Sequence, residues 1–298
     1  MASPQNILVI GAGSWATNPK QKKIDSLQKL GIHVVPTDII KDDEQTLSLI
    51  FARYDTIIGC TGFVSGRGTQ VKLTRTAISS ATGRTTTTRY IPWQFGVDYD
   101  IIGRGSVQDV FDEQLDVRGM LRSSSQTDTN LQWTIISTGM FTSFLFEPSF
   151  GVVDLENASI CALGSWENRV TLTTPADIGR ITAEIVLGLN SSSSAGTTIS
   201  SDPSSSPSPD SGKVLFIGGD TISYAELASL VERESSLLNV GDAQNALGRD
   251  PGNALLKYQV VFEQGQGVSW DLEGTWNWQR GIRAMTTAEW AEGNLTIV

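Results

Sequence analysis

The chain has 298 residues, 39% of them hydrophobic and 18% charged. It is long enough for one large α/β domain, or for a domain with a smaller lobe, and too apolar for wholesale disorder. Its 22 basic and 32 acidic residues leave a formal charge of −10, which argues against nucleic acid and against anionic membrane surfaces, since both demand positive charge.

The N-terminus reads MASPQNILVIGAG. It has no basic n-region and only a short apolar run, so no secretory signal is expected. No stretch approaches the roughly 20 apolar residues of a membrane span, and the expected location is cytoplasmic. Asn6 to Ile10 is a continuous apolar run ending at Gly11, the pattern of a buried parallel strand. Ile24, Leu27 and Leu30 recur at helical spacing, with Gly31 placed to cap that helix. Ile32 to Pro36 predicts a second strand, Glu44 to Phe51 a helix, and Asp55 to Cys60 a third strand followed by the loop TGFVSGRG. Gln70 to Ala81 predicts a helix, Thr88 to Trp93 a strand, Ser106 to Arg122 a helix and Gln132 to Ser137 a strand. Strands alternating with helices predict a parallel, doubly wound sheet.

The second half is less regular. Ser159 to Leu163 and Val170 to Thr173 predict strands, and Pro175 to Leu189 a helix with proline in its first turn. Residues 190–212 then read NSSSSAGTTISSDPSSSPSPDSG. With no apolar cluster to offset the entropy of ordering, this composition predicts a disordered surface insertion. Limited proteolysis is expected to cut there first; resistance equal to that of the flanking helices would show the stretch to be ordered. Val214 to Ile217 predicts a strand, and Ser223 with Glu226, then Thr286 with Glu289, form two S/T-x-x-E capping boxes ahead of helices. The insertion therefore interrupts a folded lobe.

Several chemistries are excluded by inventory. The chain has one histidine, His33, and two cysteines, Cys60 and Cys161. These cannot build a four-ligand Cys/His zinc site, and no metal is expected. His33 lies in the apolar run GIHVV and reads as a strand residue, not as a triad base. Two cysteines suit a reducing compartment better than a disulfide scaffold.

Four places carry candidate chemistry. Gly11-Ala12-Gly13-Ser14-Trp15-Ala16 is a G-x-G-x-x-A directly after a strand. In a dinucleotide site the first glycine makes the turn and the second lets backbone approach the pyrophosphate; an ordinary glycine turn reads the same way. Thr17-Asn18-Pro19 follows almost at once, which puts the supporting helix in doubt. Cys60-Thr61-Gly62-Phe63 follows a strand, where open sheets bind ligands, although a plain β–α turn also fits. Tyr90 to Asp100, YIPWQFGVDYD, places aromatics, a proline and a glycine at a strand end, which suits a pocket wall or core packing. Gln114 falls on the apolar stripe Val107, Val110, Phe111, Val117 and Leu121 of its helix. An inward amide needs partners, from the backbone or from a ligand.

At YIPWQFGVDYD, taken with DTIIGCTGF and STGMFTSFLFEP, the sequence strongly resembles the fungal NmrA-like proteins, kin of the isoflavone reductases. ALGSWENRVTLTTPADIG and GVSWDLEGTWNWQRGI extend the likeness almost to the C-terminus. The resemblance implies an atypical short-chain-reductase-like Rossmann fold with NADP or NAD as cofactor. It also implies a role in oxidoreduction, often in secondary metabolism. Three departures accompany it. The segment LGIHVVPTDI follows Gly13 after fewer than twenty residues, so the usual first helix and second strand are largely missing, and with them the basic residue that accepts the NADP 2′-phosphate. ATGRTTTTRYIP is longer than the family's turn. The family's catalytic lysine aligns with Gln114, and a glutamine cannot act as a cationic acid.

The expected fold is therefore α/β, a Rossmann-like doubly wound parallel sheet over residues 1–151 with its first βαβ unit truncated, and a smaller discontinuous α+β lobe over 152–298. The expected function is NAD(P)-dependent oxidoreduction of a small aromatic or secondary-metabolite substrate. Gly11, Gly13, Ser14, Trp15, Thr61, Gly62 and Phe63 are the expected cofactor contacts, with binding weakened by the truncation. Trp93, Gln94, Phe95, Met140 and Phe141 are expected on the substrate side, and Gln114 at the catalytic position. The alternative is a non-catalytic dinucleotide sensor acting through a protein partner.

Overall fold

The computed structural model describes residues 5–11, 19–63, 66–126, 130–157, 159–188, 209–231, 234–239 and 242–295. In chain order the first part holds β1 (Ile7–Gly11), α1 (Pro19–Lys29), α2 (Glu44–Phe51), β2 (Thr56–Cys60), α3 (Thr69–Ala81) and β3 (Thr88–Ile91). Next come α4 (Tyr99–Ile102), α5 (Val110–Ser124), β4 (Leu131–Ser137), β5 (Met140–Phe141) and α6 (Thr142–Leu145). They are followed by β6 (Val153–Asp154), β7 (Ser159–Gly164), β8 (Arg169–Thr173) and α7 (Pro175–Leu187). The last part holds β9 (Lys213–Phe216), β10 (Asp220–Ser223), α8 (Tyr224–Val231), β11 (Glu234–Asn239), α9 (Asp242–Arg249), α10 (Ala254–Glu263) and α11 (Thr287–Asn294).

The central sheet has five strands in the order β1-β2-β3-β4-β9. Its first three pairings are parallel, with Ile7 opposite Thr56, Thr56 opposite Arg89 and Thr88 opposite Leu131. The chain divides into two compact units, one of residues 1–93, 116–134 and 200–212, the other of 94–115, 135–199 and 213–298.

In the first unit, β2 is buried over Thr56 to Gly59, as a strand covered on both faces must be. Its neighbours on the helical side fold for local reasons. Asp43 caps α2 by accepting from the Thr46 N–H at 2.6 Å, and Leu47 and Phe51, one turn apart, form the buried stripe. The strands step in one direction from β1 to β3, and right-handed crossovers then put α2 and α3 on the same face. Arg75 of α3 pairs there with Glu44 of α2, and Lys72 donates to the carbonyls of Ile39, Ile40 and Asp42.

β1 is the outermost strand, and Val9 within it is 57% exposed. The strand expected over Ile32 to Pro36 does not form. A strand exists only as part of a pair, and the truncated first unit supplies no partner; Pro36 also lacks an N–H. Among the described residues no strand lies outside β1. His33 sits in this irregular, exposed stretch, not in a strand.

In the second unit, β10 and β8 pair antiparallel and β5 joins β8 in parallel, while β11 pairs in parallel with β7 and β6 closes the other side. Thr174 caps α7, with Pro175 in its first turn, and the helix ends on left-handed Gly188. Both capping boxes form: Ser223 and Glu226 bond reciprocally, as do Thr286 and Glu289. Val107 lies outside α5 and is exposed, because the helix begins at Val110, not at Ser106. The Ser/Pro stretch lies outside the described residues up to 208. No helix among the described residues is long and apolar enough to cross a membrane.

Candidate functional site

Two groups of residues carry candidate chemistry, one within each unit, and each stands by itself. In the first unit, β1 and β2 end side by side, Gly11 opposite Cys60. Gly11 is exposed, with open space where a side chain would be. Gly13, Ser14 and Trp15 lie outside the described residues. Pro19 is the first residue of α1, a position that proline tolerates, so it does not break the helix.

The chain leaving β2 is held by a residue that the motif reading missed. The amide nitrogen of Gln70, itself buried, donates to the Thr61 hydroxyl at 2.9 Å and to the Gly62 carbonyl at 2.8 Å. Gly62 has φ +65°, the left-handed conformation that glycine adopts without strain. Phe63 meets Trp93 edge to face at 4.5 Å, and both rings are half-buried. Gly59 allows this approach, since a Cβ there would stand 2.8 Å from the Trp93 nitrogen. The signal for Gln70 was in the sequence: it shares the buried stripe of α3 with Leu73, Thr74, Ala77 and Ala81.

In the second unit, Gln94 is fully buried and donates from its amide nitrogen to the Gln114 carbonyl at 2.9 Å. Its side chain reads helix backbone. Phe95 and Met140 are buried, and Phe141 is half-buried. The Gly96 carbonyl accepts from the backbone of Thr138 and Gly139 at 2.9 and 3.0 Å, which ties the loop bearing Gln94 and Phe95 to the link bearing Met140 and Phe141.

Gln114 is 0% exposed, and neither its amide nitrogen nor its amide oxygen has a hydrogen-bond partner among the described residues. Such an atom costs about 1–3 kcal/mol when left unmatched. Phe111, one turn earlier on the same face, touches Tyr99 at 5.0 Å and Tyr258 at 5.7 Å, and Tyr258 touches Phe144 at 6.0 Å. Burial pushes the Tyr258 phenol up to about 12. The helix face that carries Gln114 thus also carries a member of an aromatic cluster, and the amide offers two donors and one acceptor without a charge. Arg118, one turn beyond Gln114 and fully buried, was also missed by sequence reasoning, though it falls on the same stripe. Among the described residues no three His, Cys, Asp or Glu side chains are grouped to hold a metal ion.

No family profile matches the chain. An NmrA-like family domain-containing oxidoreductase of Gibberella moniliformis is 40% identical over 271 residues, 89% of this chain and 80% of that protein. Among solved structures, an isoflavone reductase superposes with a TM-score of 0.71 at 16% identity, covering 97% of this chain and 91% of that one. A leucoanthocyanidin reductase–NADPH complex from Vitis vinifera gives 0.65 at 17% identity, over 90% of this chain and 82% of that one. The structural likeness carries the fold, an α/β Rossmann-like architecture. The identity with the fungal protein, over most of both chains, places this chain in the NmrA-like family.

Proposed function

We propose that the chain is an NAD(P)-dependent oxidoreductase acting on a small aromatic or secondary-metabolite substrate. The observation that carries this reading is the unmatched, fully buried Gln114 amide, on the helix face that also carries Phe111. A fully buried polar side chain with no protein partner is a place where a ligand's own polar group completes the bonding. The amide N–H groups would hold a carbonyl oxygen and the amide oxygen a hydroxyl. The relative of 40% identity is an oxidoreductase, and a structural neighbour was solved with NADPH.

The first unit fits part of such a cofactor. Gly11 leaves open space at the carboxyl end of β1, and Gln70 holds Thr61 and Gly62 at the adjoining end of β2. A reduced nicotinamide, when bound, supplies a hydride. The chain's contribution at this end is to hold backbone in place. Gln70→Leu keeps the volume but strands the Thr61 hydroxyl and the Gly62 carbonyl. It is expected to cost about 1–3 kcal/mol of stability and to weaken NADPH binding about tenfold. Calorimetric titration and thermal melting check both; unchanged NADPH affinity would remove this end from the site.

The experiment for the function is NADPH consumption against a panel of aromatic carbonyl and enone compounds, with products identified by mass spectrometry. Turnover of any member supports the reading. The second reading, a dinucleotide sensor working through a protein partner, is favoured by one observation: the neutral Gln114 cannot serve as a cationic acid. NADPH binding without turnover of any member would favour the sensor.

A further inference from the structure

We infer that the nucleotide site seats the nicotinamide half of a dinucleotide and has no seat for the adenosine half. Reduced nicotinamide mononucleotide then binds as well as the full cofactor. The inference rests on the cofactor reading above. A dinucleotide fold is built from two mononucleotide-binding halves, its strands running outward from the first strand in both directions. The adenosine ribose is held by an acidic residue about 20 residues beyond the glycine turn, in the first half. Here the described strands run outward from β1 in one direction only, through β2, β3 and β4 to β9. Nothing among the described residues pairs with the outer side of β1.

The turn at residues 37–42 uses its carboxylates within itself. The Asp38 carboxylate accepts from the backbone N–H groups of Ile40 and Lys41, both at 3.1 Å, and pairs with the Lys41 ammonium at 3.5 Å. The Asp42 carboxylate accepts from the Thr37 hydroxyl at 2.7 Å and the Asp38 N–H at 2.8 Å. Lys72 spends its ammonium on the three carbonyls of Ile39, Ile40 and Asp42. Thus the acids close their own turn and the lysine pins that turn to α3. Neither an adenosine ribose nor a 2′-phosphate finds a partner among them. Lys22 and Lys29 stand exposed on α1, not at the end of a strand beside β1. What the chain does keep, Gly11, Thr61 and Gly62, lies at the adjoining ends of β1 and β2.

The test uses the full chain and four probes in calorimetric titration: NADPH, NADH, reduced nicotinamide mononucleotide and adenosine 2′,5′-bisphosphate. The expected result is that the three nicotinamides bind within about threefold of one another and the adenosine bisphosphate does not compete. Gly62→Val, which forces a β-branched residue into the left-handed region, should weaken all three by the same factor, with circular dichroism confirming the fold. NADPH binding more than about tenfold tighter than the mononucleotide, or displacement by the adenosine bisphosphate, would overturn the inference and leave the oxidoreductase reading standing. Failure of every nicotinamide to bind would overturn both.

Discussion

Gln114→Leu is expected to raise the melting temperature and to lower turnover by about a hundredfold. The two halves of that result have one cause. Both amide atoms of Gln114 are buried and unmatched. Each stranded atom costs about 1–3 kcal/mol, so an apolar side chain of similar volume removes a penalty without opening a cavity. A gain of about 1–2 kcal/mol corresponds to a few degrees in a chain of this size. The loss of turnover follows because the substrate's polar group then meets hydrocarbon in place of an amide, and a buried hydrogen bond lost in this way is worth one to two powers of ten. Thermal denaturation and NADPH oxidation, measured on the same preparation, check both. A fall of several degrees with ligand binding untouched would show that ordered water makes the amide structural. Gln114→Lys sharpens the comparison. An ammonium that reaches substrate donates a proton and raises turnover; one that does not is a buried, unpaired charge and unfolds the protein.

Gly139→Ala is expected to be the most destabilising conservative change in the second unit, at more than about 3 kcal/mol. Gly139 has φ +70°, and a Cβ there would stand 2.1 Å from the Thr171 carbonyl oxygen. That oxygen belongs to β8, which pairs on both sides, so it cannot give way. Gly281 is the control. It has φ +65° and ψ 20° but open space around the missing Cβ, so Gly281→Ala should cost only the backbone term, about 1–2 kcal/mol. Urea unfolding of the two variants separates conformation from clash; equal costs would show that β8 yields.

The sequence showed some of this directly. The helix Glu44 to Phe51 was legible to the residue from its apolar period, and the structure adds the Asp43 cap that fixes its start. The strand before Thr61 was legible because a short apolar run that ends at a glycine-bearing loop reads as a strand covered on both faces. Ile32 to Pro36 carries the same β-branched signal and forms no strand, since local preference cannot supply a neighbour. Gln114 was found by its place on an apolar stripe, and the same rule would have found Gln70 and Arg118. What the stripe could not tell was that the Gln70 amide is matched and the Gln114 amide is not. Matching depends on residues brought together from distant parts of the chain. Gln94, expected on the substrate side, donates its amide N–H to the backbone of α5, a long-range contact that no local pattern announces.

The outer position of β1 also sets how tightly different parts of the sheet hold their protons. In β2 and β3 both flanks are bonded to neighbouring strands, while β1 is bonded on one flank only among the described residues. Successive amides along a strand point to opposite flanks. Those of β1 that point toward β2 are shielded, and the alternate ones face water. Deuterium uptake should therefore alternate along Ile7 to Gly11, fast and slow by turns, while β2 and β3 exchange slowly throughout. A gradient of this kind makes β1 the first strand to peel from the sheet under mild denaturant. Gly11, at the end of β1, would then leave its place opposite Cys60 well before the rest of the molecule unfolds.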